Sequence, residues 1–530
     1  MTREPMADVQ GGGRPTPPKD WLAGLKENAQ TDVVSGLIIF LIALPLCLGI
    51  ALASGAPPIA GVISGIIAGT LANLFSGSYV TINGPAAGMI VIVAGAVAEL
   101  GFREALAIGV AAGVIQIALG LAKTGKLTGF FPLSVVHGML AGIGLIIMAG
   151  QIHIVVGHEN PRAHGFHILT EIPPSLTDPV VETALVGLAA VLVMVLWPRL
   201  GKVATVIPAP LAAVIVGTAI AVVNGAEPRL DLGGGLIDGF QTPDFSGLVS
   251  APAVKWIVLY VFVASLESLL TAEAVDKLDP WKRRSNMNRE LIGKGIGNLA
   301  SSAVGGLPMI AEVVRSKANI MAGARTRWSN FFHGLFLFLF VLALPGVLEL
   351  IPLAALAGIL LVVGFKLAHP ADFKHAWNIG RVDFLLMIVT AFTVLLTDLL
   401  IGVATGIVLG LLHALFRGAS LGNLFRPAME VTDDGDRVIV RFRKALGFHN
   451  FIPVRSVLDN MPRGRTVTLD FNGVHYIDPT VLERLHDFEI DYAYDGGSVL
   501  HVGEESLRPG PHQFSTRTAP KVTGLDETVG

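Results

Sequence analysis

Ile82-Asn83-Gly84-Pro85-Ala86-Ala87-Gly88 and Gly305-Gly306-Leu307-Pro308-Met309-Ile310-Ala311-Glu312-Val313-Val314-Arg315 are the two stretches on which the fold turns. Each is a Gly-Pro break at the head of an apolar segment, 85–99 in the first case and 309–321 in the second. Both segments are short for a hydrocarbon core of ~30 Å at about 1.5 Å of rise per residue. Broken backbone at membrane depth is tolerated only where protein buries it or where it lines a cavity. The breaks therefore predict two half-helices meeting inside a membrane domain.

Working outward, full apolar segments lie near 33–52, 58–76, 104–122, 133–156, 181–198, 205–223, 254–275, 291–304, 330–347, 351–366, 382–397 and 399–416, which with the interrupted pair makes fourteen. Charged residues are 15% of the chain, against roughly a quarter in soluble proteins, and residues 1–32 and 427–530 hold more than their share. A net charge of -3 argues against a nucleic-acid partner, and a single cysteine, Cys47, excludes an intramolecular disulfide. Residues 1–30 lack the apolar core of a signal peptide, so the first span, near Val33–Ile50, is expected to direct insertion.

Alternating the segments from a cytoplasmic N-terminus puts Lys123, Lys126, Arg199, Lys202, Lys277, Lys282, Arg283, Arg284, Arg289, Arg325, Arg327, Lys366, Lys374 and Arg381 inside. Only scattered positives such as Arg103, Arg162 and Arg229 fall outside. That is the positive-inside pattern of a multi-pass protein of the cell inner (plasma) membrane with both termini cytoplasmic. Phe131-Pro132-Leu133 with Gly138-Met139-Leu140 resembles Ile351-Pro352-Leu353 with Gly358-Ile359-Leu360, and a Gly-Pro break precedes each by about 45 residues. Seven spans per half reverses the orientation of the halves. Inverted halves with paired broken helices put a transport site near the midplane. The expected organisation is an N-terminal segment 1–30, an all-α transport domain 31–420 with a seven-plus-seven inverted repeat, a small α/β domain 430–505 and a disordered tail 506–530. In the α/β domain, Arg437–Arg443, Thr466–Phe471 and Ser498–Gly503 read as strands, and Phe451–Met461 and Val481–Tyr492 as helices.

Helix N-termini attract anions through unpaired N–H groups and the helix dipole. The candidates are Asn83, Gly84, Pro85, Ala86, Ala87 and Gly88 on one side, with Met309, Ile310, Ala311, Glu312 and Val313 on the other. Arg315, one turn further and followed by Lys317, either adds its charge to the site or pairs with Glu312. Glu267 lies in a span with Ser265, Ser268 and Thr271 nearby. It can carry a proton, bind Na⁺ with Ser268 and Thr271, or form an ion pair with Arg315. Glu273 and Asp276 are expected to be solvated. His137, Gln151 and His153 read as packing residues and Asp398 as a cap. No His or Cys cluster supports a structural metal site and no Walker or dinucleotide loop is present; neither an enzyme nor an ATP-driven pump is expected, and no cofactor beyond a coupling H⁺ or Na⁺.

At these residues the chain resembles the SulP family, the bacterial branch of the solute carrier 26 anion transporters. The similarity runs through Ala43-Leu44-Pro45, Ala56-Pro57-Pro58, 82–88, Ser265–Thr271, Asn288–Gly293, Gly305–Pro308, Val314-Arg315-Ser316 and Gly323–Thr326. Val467–Asp478 is similar to the STAS domain usual in that family. The resemblance implies core and gate subdomains with elevator-like alternating access, a substrate site between the third and tenth helices, and a homodimer in the lipid bilayer. Substrates would be bicarbonate, sulfate, chloride or dicarboxylates. Cyanobacterial bicarbonate members use an Asp at the Glu267 position, with a Thr at that of Thr271, to bind Na⁺; members with Glu are thought to couple to protons. Met309-Ile310-Ala311-Glu312 departs from the hydroxyl-rich family pattern, and Asp478-Pro479-Thr480 from the phosphorylated Asp-Ser-Ser turn, so phosphoregulation at Thr480 is only weakly implied. The expected function is cation-coupled uptake of a small oxyanion, bicarbonate or sulfate, then dicarboxylate. The alternatives are an uncoupled exchanger or channel, a uracil/xanthine-type permease and a non-transporting sensor.

Overall fold

The computed structural model describes residues 16–125, 132–161, 167–201, 203–204, 207–435, 437–508 and 510–519. Lys126, Phe131, Arg162 and Lys202, used above, lie outside the described residues, as do 1–15 and 520–530. Among the described residues, eight helices are long and apolar enough to cross a membrane: α1 (Trp21–Ala53), α2 (Pro58–Phe75), α4 (Phe102–Leu121), α5 (Leu133–Val155), α6 (Val181–Leu200), α8 (Ala251–Leu278), Leu353–Ile379 and α15 (Leu399–Phe416). Leu353–Ile379 is interrupted at Ala368-His369, which separates α12 (Leu353–Leu367) from α13 (Pro370–Ile379). Shorter helices complete the domain: α3 (Ala87–Leu100), α7 (Ala209–Asn224), α9 (Met287–Ala303), α10 (Val313–Met321), α11 (Trp328–Ala343) and α14 (Arg381–Leu396).

The side chains divide as lipid requires. On α6, Leu185, Leu188, Leu192 and Val195 are exposed along one stripe, while Ala184, Val186, Gly187, Ala190 and Met194 are buried on the other. α1 begins ten residues before the sequence placed a boundary, because it is pinned there. Asp20 accepts from the Trp21 N–H and lies 2.6 Å from the Arg327 guanidinium. Deeper in, Asp32 accepts from Arg325 N at 2.8 Å and Thr326 Oγ1 at 2.5 Å. Charges flanking α11 thus fasten it to the start of α1, and the two helices pack together.

The C-terminal region is a sheet in the order β3 (Ala428–Asp433), β4 (Arg437–Leu446), β5 (Thr466–Ile477), β6 (Ser498–Val502). β4, β5 and β6 run parallel, and α16 (Phe451–Leu458) and α17 (Pro479–Tyr494) connect them. Val440, Phe442, Leu469 and Phe471 meet Val454 and Leu485 in its core. Strand β3, antiparallel to β4, was not foreseen, since its residues are half-buried or exposed. The expectation of disorder from 506 fails for the described part of the tail. Leu507 and Ser515 are buried, and β7 (Arg517–Thr518) pairs with the end of β5 at Tyr476 and Ile477.

Candidate functional site

Pro85 and Pro308 stop helices and deprive the chain of N–H donors. The backbone they leave bare inside an apolar domain needs partners, and the two breaks supply them to each other. β1 (Asn83–Gly84) pairs antiparallel with β2 (Ile310–Ala311), Asn83 opposite Ala311 and Gly84 opposite Ile310. Glu312 N donates to Ile82 O at 2.9 Å, and Ile82 N to Ser316 Oγ at 2.9 Å. From this bridge α3 and α10 depart with their N-terminal turns beside a cavity of about 980 Å³.

Ala86, Ala87, Gly88, Ile310, Ala311, Glu312, Val313, Glu267 and Thr271 line that cavity, as does His137. The two helix tips differ. Ala86 has no polar side chain with which to cap α3; Met89 N donates back to Ala86 O at 3.1 Å, and the N–H groups of Ala87 and Gly88 are left for an anion. Glu312 caps α10, accepting from Arg315 N at 3.1 Å. The Glu267 carboxyl group stands against the first turn of α3: a Cβ added to Gly88 would fall 2.1 Å from Oε1 and 2.2 Å from Oε2. Among the described residues, Glu267 Oε1 is buried with no hydrogen-bond partner.

Several candidates stand behind the cavity wall. Asn83, Gly84 and Pro85 are buried in the bridge. Ser268 accepts from Ala311 N at 3.2 Å, which fixes β2 against α8. Arg315 is the main correction. Its side chain is fully buried, with Nη2 donating to Pro85 O at 2.5 Å and Nε 3.3 Å from Glu312 Oε2. It joins the two breaks rather than facing the cavity, and the ion pair with Glu267 is not formed; Lys317 is exposed. Glu273 and Asp276 are half-buried and partnered: Glu273 lies 2.5 Å from Arg455 Nη1, and Asp276 accepts from Ser285 N at 2.7 Å and Ser285 Oγ at 2.5 Å. His153 Nδ1 lies 2.7 Å from Ser175 Oγ, Gln151 lines a separate cavity of about 840 Å³, and Asp398 caps α15 through Ile401 N at 2.9 Å. No group of three or more metal-ligating side chains occurs among the described residues.

Two features escaped the sequence reading. The first is a polar stripe on α9, Glu290, Lys294, Asn298 and Ser301, buried throughout. Asn298 Oδ1 accepts from Met309 N at 2.6 Å, Asn298 Nδ2 donates to Gln116 Oε1 at 2.7 Å, and Ser301 Oγ donates to Leu307 O at 2.7 Å. Gln116 Nε2 reaches Ser265 Oγ at 3.1 Å on the helix of Glu267. Helical spacing of these polar residues in an apolar segment was the available signal. The second is α17, whose Glu483, Arg484 and Asp487 line the same cavity. Its neighbours hold both sides: Lys277 on α8 is 2.5 Å from Asp487, and Leu133 N at the head of α5 donates to Thr480 Oγ1 at 3.3 Å. Thr480 is buried in that contact.

Paired breaks, an open helix tip and a carboxyl group on one cavity are transporter geometry, and the comparisons agree. The model of the sulfate permease family matches residues 30–390. The chain belongs to the sulfate permease family. It is 28% identical over 501 residues, 91% of its own length and 92% of the relative's, to "Putative sulfate transporter YvdB" of Bacillus subtilis (strain 168). It is 29% identical over 423 residues, 77% of this chain and 74% of the relative, to the bicarbonate transporter BicA of Picosynechococcus sp.. The solved transmembrane domain of a cyanobacterium bicarbonate transporter BicA matches with TM-score 0.63 at 27% identity, over 72% of this chain and 97% of that one. SLC26A9 matches with TM-score 0.67 at 18% identity over 90% and 85%, a likeness of fold alone. Sulfate permease family members are multi-pass membrane transporters and not enzymes.

Proposed function

We propose that this protein takes up a small inorganic oxyanion, bicarbonate or sulfate, together with a cation. The observation that carries the reading is the Glu267 carboxyl group pressed against Gly88 at the uncapped tip of α3. A carboxylate there and a bound anion would compete for the same helix dipole. Two unit charges ~4 Å apart repel by about 4 kcal/mol at an effective dielectric of about 20, roughly a thousandfold in occupancy. Loading Glu267 with a cation removes that repulsion, so anion and cation enter together. Ser268 is engaged by Ala311 N, which leaves Thr271 as the neighbouring hydroxyl on the cavity. So sparse an oxygen set favours H⁺ over Na⁺.

The rest of the proposal is a fourteen-segment, seven-plus-seven inverted domain over 31–420, supported by helices at Met287–Ala303, Val313–Met321 and Arg381–Leu396 beyond the long ones. Elevator-like movement of the α3–α8–α10 unit against α5 and α12 would carry the site across. The presence of Glu483, Arg484 and Asp487 of α17 on the cavity wall supports an inward-facing state with cytoplasmic termini in the inner membrane. The C-terminal sheet, over 430–505, is assigned as a STAS-like regulatory domain in a homodimer. The test is purified protein in liposomes with radiolabelled bicarbonate, sulfate and succinate, each under imposed pH and Na⁺ gradients. Gradient-driven accumulation of one oxyanion is the expected result; flux that ignores both gradients refutes coupling.

A further inference from the structure

Lys294 is fully buried on α9, with its ammonium 2.5 Å from Asn83 Oδ1 and 2.6 Å from Glu290 Oε1. The other oxygen of Glu290 accepts from Ser76 Oγ at 2.5 Å and from the N–H groups of Gly77 and Ser78 at 2.9 and 3.2 Å. Glu290 alone is therefore enough to staple α9 to the turn after α2, and Lys294 adds a link to β1. From α10, Arg315 Nη2 donates to Pro85 O, and a Cβ added to Gly84 would fall 2.7 Å from Arg315 Nη1. The segment Asn83-Gly84-Pro85 thus lies between two buried cations, each balanced by its own carboxylate, Glu290 or Glu312. A buried ion pair is seldom more stable than an apolar pair of the same shape. Its physical use here is directional: a charged donor fixes an amide more tightly than a neutral one.

We infer that Lys294 is a positioning residue of the anion site. By holding Asn83 it sets the orientation of β1, and with it the tip of α3 that meets the anion. The inference rests on the reading that the anion sits at the breaks.

The test measures KM and Vmax for radiolabelled bicarbonate and sulfate in liposomes, with gel filtration and thermal melting as folding controls. Because Lys294→Gln alone would strand Glu290, the primary variant is the neutral pair Glu290→Gln/Lys294→Gln. The expected result is a folded protein with Vmax retained and KM raised about tenfold, the size of one charge-assisted hydrogen bond. A folded double variant with KM within about twofold of wild type overturns the inference. Should the double variant fail to fold, Asn83→Ala removes the group that Lys294 holds while keeping the ion pair. A raised KM then supports the inference and an unchanged one overturns it. Gly88→Ala is the reference, since it alters the tip of α3 directly. If it leaves both constants untouched, the site reading falls and this inference with it; if it responds and Lys294 and Asn83 do not, only the inference falls.

Discussion

Gly88→Ala separates the function of the site from the stability of the fold. The new methyl group would lie 2.1 Å from Glu267 Oε1 and must push it back by about 1.3 Å to reach ordinary contact at 3.4 Å. What stands in its way is the far end of a flexible side chain, so the helices need not move. Gly88 is in the first turn of α3, and in helix interiors alanine is favoured over glycine by up to ~1 kcal/mol. The melting temperature is therefore expected to hold or rise slightly. A shift of about 1 Å in an aligned group can cost up to about a hundredfold in rate. We expect initial uptake of radiolabelled bicarbonate or sulfate, driven by an imposed pH gradient in liposomes, to fall by about tenfold to a hundredfold. In a Glu267→Ala background the carboxyl group is gone, so Gly88→Ala should cost nothing further, the non-additivity of groups in contact. Wild-type uptake and wild-type gradient dependence in folded Gly88→Ala would refute the reasoning.

Glu267→Gln should abolish uptake or release it from the cation gradient; gradient-driven accumulation at the wild-type level in that variant removes Glu267 from the mechanism. Deleting residues 430–530 should preserve the order of substrate preference, because α17 touches the cavity only through Glu483, Arg484 and Asp487; a changed order between bicarbonate and sulfate would mean that the domain shapes the site itself. Asp478 caps α17, accepting from Val481 N at 2.8 Å and Phe448 N at 2.5 Å, and burial pushes its carboxyl group up to about 6. The folded domain therefore binds this proton at a higher pH than the unfolded chain, whose carboxyl group titrates near 3.8. Its stability should rise as pH falls from about 6 to about 4, by an amount on the order of 3 kcal/mol. Asn keeps the cap on Val481 N but its amide nitrogen cannot accept from Phe448 N, so Asp478→Asn should lose the rise in stability between about pH 6 and about pH 4 that wild type shows. Parallel melting curves of the two proteins across this range would contradict the assignment.

The membrane character, the two breaks and Glu267 were legible because each is a local departure from an apolar background. Pro85 and Pro308 stand in Gly-containing stretches at the heads of short apolar segments, and a carboxyl group among Val263, Leu266 and Leu269 stands out without any tertiary information. The strands β4, β5 and β6 were legible from alternation. Strand β3 was not, because Glu430, Thr432 and Asp433 lie at a sheet edge where burial imposes no pattern. The α9 stripe carried a signal, yet 291–304 read as an ordinary apolar segment until its partners on β1, at Leu307 and Met309 in the second break, and on α4 were known.

By itself the sequence determined that there are two interrupted helices and that one ionisable group lies among apolar spans, since both follow from local chemistry. Tertiary structure decided which groups face the cavity. Arg315 turned inward to the opposite break, Ser268 to the N–H of Ala311, and Glu267 was left against the open tip of α3. The physical reason is that every bare backbone group in an apolar interior takes the nearest polar partner. Which partner is nearest depends on contacts between residues more than two hundred positions apart, such as Asn83 with Ala311 and with Lys294.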